Sequence, residues 1–173
     1  NKKVVIIINK HTIKAYIDSW YEKNIKDKYD DKLEDTVFCN DRSISSLNGW
    51  NPNGGSTSTY LQFKNYSTSN KSLVCANETD RFSVNNPKAR LKYPIGLLTA
   101  PELSLAGYSN SNGHYFDNGQ NVFLSSPYRF GINTSAVLGV SSSSWNENVG
   151  REGGVRSAVS IKPGTEISSG DGS

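Results

Sequence analysis

The chain has 173 residues, a net charge of +3 and 35% apolar residues, which fits one domain able to bury a core without metal support. Acidic residues interleave with the early lysines, so the dense basic stripe of a nucleic-acid-binding surface is missing. No apolar run approaches the roughly 20 residues of a membrane span, and no span is expected in this segment.

Asn, Ser and Gly are abundant, while the best helix formers are scarce. This balance predicts a loop-rich α+β domain dominated by short strands. The chain contains no Met; a fragment or processed form is expected, with any signal or anchor outside it.

The continuous β-branched run at residues 4–8 predicts a strand covered on both faces. Asn9 breaks it. Ile13, Tyr16, Ile17, Trp20 and Tyr21 then recur at helical spacing, which predicts an amphipathic helix over Thr12–Asn24 with Thr12 as its N-cap. This aromatic stripe is expected to face the core. The charged residues 26–35 either extend the helix or form a loop. A strand is expected over residues 36–39, followed by a turn-rich stretch over 40–59 in which Trp50 plugs the edge of the core. Short strands are expected over 60–63, 73–75 and 81–84.

Thr99-Ala100-Pro101-Glu102 is a capping box with proline in the first turn. It predicts a short helix running to Ala106 and stopped by Gly107. A polar loop follows over 108–121. Further strands are expected over 121–125, 136–140 and 154–162, the last with alternating Val155, Ala158, Val159 and Ile161 among polar neighbours. Residues 163–173 are expected to be an extended tail. Nothing divides the chain, so residues 1–173 are read as one domain.

The two cysteines have matching settings. Cys39 closes Val37-Phe38-Cys39 and Cys75 closes Leu73-Val74-Cys75, both at the ends of expected strands. A disulfide between them implies an oxidising, extracellular compartment. Two separate buried thiols, a metal site and a catalytic thiol are the alternatives; no His lies at ligand spacing from either cysteine. The four Asn-x-Ser/Thr sequons, at Asn65, Asn70, Asn77 and Asn133, are the number this composition produces by chance.

Motifs for phosphate binding, dinucleotide binding, serine hydrolysis and zinc proteolysis are all missing. His11 and His114 lie in ordinary polar surroundings, and the acidic pairs lie on a charged surface stretch. No catalytic residue and no resident cofactor is therefore assigned. Residues 117–121 and 145–148 offer oxygen ligands on expected loops and are the candidates for Ca²⁺, without EF-hand spacing.

Four stretches form a set: Leu33-Glu-Asp-Thr-Val-Phe-Cys-Asn-Asp-Arg-Ser43, Tyr93-Pro-Ile-Gly-Leu-Leu-Thr-Ala-Pro-Glu-Leu-Ser-Leu-Ala-Gly107, Leu124-Ser-Ser-Pro-Tyr128 and Gly154-Val-Arg-Ser-Ala-Val-Ser-Ile-Lys-Pro-Gly-Thr165. Together they resemble an uncharacterised C-terminal domain on surface proteins of Gram-positive gut bacteria, many of them type IV pilin-like. The final block is also similar to the closing strand of the C-type-lectin-like fold. That resemblance implies that the first and last strands pair. The fold's enzymatic branch, the formylglycine-generating enzymes, uses a cysteine pair near the C-terminus that this chain lacks. The sugar-binding triplets of animal lectins are missing too, and Trp145-Asn146-Glu147 only approximates their Trp-Asn-Asp element.

The expected function is non-enzymatic display or binding at the cell surface, directed at a host or bacterial surface glycan or protein. Loops before the last strand are expected to carry the contacts, through Tyr128, Arg129, Trp145, Asn146 and Asn148, because such side chains give contact area and adaptable hydrogen bonds. The rival reading is a structural minor pilin or filament subunit whose partners are neighbouring copies. An enzyme is the third.

Overall fold

The computed structural model describes residues 12–44, 58–61, 72–108, 122–130, 135–140, 144–148 and 153–166. Within them the chain is a mixed α and β structure of two α-helices and small antiparallel sheets. The strand expected over residues 4–8, the Trp50 plug, the candidate Ca²⁺ ligands at 117–121 and the two histidines lie outside the described residues.

Helix α1 spans Thr12–Asn24, as the spacing of its apolar residues requires. Thr12 is itself the first helical residue. Only part of the aromatic stripe is buried. Ile17 and Tyr21 are 2% and 1% exposed, whereas Tyr16 and Trp20 are 60% and 40% exposed. The helix therefore rests on a narrow seam, where Ile17 and Tyr21 meet Leu33 and Ile95, with Ile25, Tyr93 and Val155 packed around them.

Residues 25–29 leave the helix in a turn whose residue Asp27 has φ 63°. The Asp30 carboxylate holds this left-handed bend, accepting from the Asp27 N–H at 2.9 Å and the Tyr21 hydroxyl at 2.7 Å. A single 3₁₀ turn, Asp30–Lys32, then delivers the chain into the first strand.

Among the described residues, ten strands follow the helix. Strand β1 is Leu33–Glu34, β2 is Phe38–Cys39, β3 is Ser58–Thr59, β4 is Arg81–Phe82 and β5 is Gly96–Leu97. After α2 (Ala100–Leu105) come β6 (Val122–Phe130), β7 (Ser135–Val140), β8 (Ser144–Asn148), β9 (Ser157–Ala158) and β10 (Ser160–Ile161). Among the described residues the strands form three two-stranded sheets, β1–β10, β2–β4 and β5–β9, and a four-stranded sheet of order β3-β6-β7-β8.

Helix α2 matches its expected limits. Thr99 accepts from the Glu102 N–H and Glu102 returns the bond to the Thr99 N–H, so both halves of the capping box are present. Gly107, with φ 93°, ends the helix in a conformation that side-chain-bearing residues rarely adopt.

Several expected strands change. Residues 72–77 have no regular structure, and Leu73 and Val74 point their apolar side chains outward at 59% and 75% exposure. The apolar triplet ending at Cys75 thus never meets a partner strand; its course is fixed by the bonds made at Cys75. Strand β6 runs well past Ser125, through Pro127, and its register against β7 shifts on either side of that proline. Proline cannot donate to the ladder, and the irregular register on both sides of it accommodates that gap.

The expected last strand is divided. Ser157 and Ala158 pair with β5, whereas Ser160 and Ile161 pair with β1, and Gly154 bridges Val122 in parallel. The chain then turns at Pro163–Gly164, and residues 167–173 of the expected tail lie outside the described residues. Lys162 donates its N–H to Lys32 at 2.8 Å, and Thr165 closes the Pro163–Gly164 turn onto Lys162.

Among the described residues, the core comprises three clusters. Besides the seam under α1, Phe38, Phe82, Ala89 and Leu91 pack together, as do Ala100, Leu103, Tyr108, Val122 and Leu124. Gly96 lets β5 approach Phe38 closely: a Cβ at that position would clash with the Phe38 ring and its Cβ.

Candidate functional site

Cys39 and Cys75 form a disulfide across 36 residues, with Cα atoms 5.8 Å apart. Both are buried, at 8% and 6% exposure. Cys39 ends a strand as expected, but Cys75 lies in the irregular stretch 72–77.

A polar knot surrounds this bond. Asp80 is 2% exposed. Its carboxylate accepts from the Arg42 backbone N–H at 3.0 Å and from Arg42 Nε at 2.6 Å, and it also meets Arg42 Nη2. The guanidinium meets Oδ1 and the backbone N–H meets Oδ2, so Arg42 alone satisfies both oxygens of the buried carboxylate. The Asp80 carbonyl accepts from the Asn40 N–H, and Asn40 is 1% exposed. Asp41 accepts from the Ser43 N–H at 2.9 Å, forming a local turn. Asn77 donates to the Ser43 hydroxyl at 3.0 Å, and Arg81 Nε donates to the Cys75 carbonyl at 2.7 Å. Burial raises the phenol pKa of Tyr60; Arg42 pulls it the other way and Asp80 adds to the rise.

A second knot joins β6 to α2. The Ser126 hydroxyl, fully buried, accepts the Ala100 N–H at 2.7 Å and so satisfies one of the free donors of the first helical turn. Ser125 donates its backbone N–H to the Leu98 carbonyl at 2.9 Å. Its hydroxyl lies between that carbonyl, at 3.2 Å, and the Cys39 carbonyl, at 3.3 Å. A third joint sets the Thr36 and Ser160 hydroxyls 2.6 Å apart beside the β1–β10 pair.

These contacts join residues 33–43, 93–107, 124–128 and 154–165 into one framework. The Asn-Asp-Arg after Cys39 and the Asp-Arg after Cys75 are its most important polar members, and sequence reading missed their pairing. The repeated Asp-Arg after each cysteine was the available signal.

The residues expected to bind a partner lie on strands, which corrects their assignment to loops. Tyr128 and Arg129 belong to β6; Trp145, Asn146 and Asn148 belong to β8. Tyr128 is half-buried, packs against the cluster of Ala100, Leu103, Tyr108, Val122 and Leu124, and accepts the Tyr60 N–H on its carbonyl at 3.2 Å. The backbone register sets Thr59, Arg129, Ala136 and Asn148 in one row across all four strands. Asn146 stands opposite Leu138, and Trp145 opposite Gly139. The five residues therefore share one sheet.

A surface cluster ties α1 to the stretch before β5. Tyr21 and Tyr93 stack with centroids 4.7 Å apart. Glu22 accepts from Lys92 at 2.5 Å and from the Tyr93 hydroxyl at 2.6 Å, bonds that hold its carboxyl below the ordinary range. Burial, followed by the bond to Asp30, pushes the Tyr21 phenol well above its ordinary value. The groups here are mutually paired, and the arrangement is that of a clasp.

Among the described residues, no group of three or more His, Cys, Asp or Glu could hold a metal ion. Among the same residues, no helix is long and apolar enough to cross a membrane. No protein-family model matches the chain, and no curated protein or solved structure matches it significantly.

Proposed function

We propose that this chain is a non-enzymatic extracellular domain that displays a binding surface for a host or bacterial surface glycan or protein. In this reading it has a C-type-lectin-like plan, with the first and last strands paired, and belongs on a bacterial surface or pilus-like protein. The observation that supports it best is the internal use of the polar motif residues. Arg42, Ser125, Ser126, Thr99 and Glu102 bond to the framework itself, Arg42 through Asp80, so the motif chemistry is that of a scaffold. A disulfide beside a buried ion pair suits a domain that must hold its shape in an oxidising exterior.

An array of glycans and surface proteins, probed with and without Ca²⁺, tests this reading. Binding that a Trp145→Ala or Arg129→Ala variant loses, while keeping its fold, is the expected result. Equal signals from the wild type and these variants on every probe would count against it.

A structural role as a minor pilin or filament subunit is the second reading. The exposed Tyr16 and Trp20 on α1 favour it. It predicts self-association that weakens in a Tyr16→Ser, Trp20→Ser variant; a strictly monomeric protein whose parent never enters filaments defeats it. An enzymatic reading is the least supported, since it needs ionisable groups converging in a cleft.

A further inference from the structure

We draw no further inference here: the strongest candidate, the exposed Tyr16 and Trp20 pair on the outer face of α1, is an apolar helix surface for which nothing in the structure shows what covers it.

Discussion

Asp80 receives both the backbone N–H and the guanidinium of Arg42 on one nearly inaccessible carboxylate. Removing either partner strands a charge near the disulfide. Asp80→Ala and Arg42→Ala are each expected to lower stability by about 2–4 kcal/mol, somewhat under the value for a fully buried pair because Arg42 retains some solvent contact. Urea unfolding measures this. The double variant should be little worse than the worse single one, since the two residues act as a unit. Strictly additive losses would argue that the pair is not coupled.

The Cys39–Cys75 bond closes a loop of 36 residues. In the chain-entropy picture that contributes about 4 kcal/mol. A Cys39→Ser, Cys75→Ser variant should therefore melt well below the parent. Alkylation followed by mass measurement on protein never exposed to reductant should find no free thiol. Two alkylated cysteines in that sample would contradict the structure at this joint.

Gly96 is fixed by the ring of Phe38 rather than by its own backbone. Gly96→Ala should destabilise by about 1–3 kcal/mol through overpacking. Adding Phe38→Leu, which opens space at the same point, should recover part of that loss. A Gly96→Ala protein with an unchanged unfolding midpoint would show that the two strands separate more easily than their packing implies.

The Asp30 carboxyl is held below the ordinary carboxylate value, first by the Asp27 N–H and then by the Tyr21 hydroxyl. A depressed folded-state pKa contributes stability that is present above the unfolded value, about 3.9, and is lost as pH falls through the lower folded value. Acid titration of unfolding should show the parent losing stability more steeply than Asp30→Asn below about pH 4. Parallel curves for the two proteins would remove Asp30 as a contributor. Tyr21 works at the other extreme: its raised phenol pKa contributes stability that is lost as pH climbs past about 10.

How far the sequence could be read depended on the range of the interactions involved. Helix α1 followed from spacing along five residues, and α2 from a capping box of four. Both signals are local. The two-residue strands are set by partners far along the chain: Leu33 pairs with Ile161 and Gly96 with Ala158. Strand β8 was invisible because Asn146, Glu147 and Asn148 are weak strand formers, and only the ladder offered by β7 extends them. The apolar run ending at Cys75 gave the opposite error, since composition predicts a strand but cannot supply a neighbour. Along α1 the periodic stripe located the helix correctly and overstated its burial, because the seam beneath is narrow enough for Ile17 and Tyr21 alone. The candidate binding residues were expected on loops because Asn-rich stretches read as turns; the pairing of β6, β7 and β8 that places them on strands lies between separate segments of the chain.

The divided closing strand has a consequence for the order in which this protein takes shape. Residues 154–162 bind three places that are otherwise distant in the chain: Leu33–Glu34, Gly96–Leu97 and Val122. A chain emerging N-terminus first has all three waiting before the piece that joins them arrives. The β1–β10 and β5–β9 sheets cannot close until that piece is free, and contacts of such long sequence separation form slowly. Late arrival of this segment makes its pairing with β1 and β5 a closing event in folding, one that waits on nearly the whole described chain.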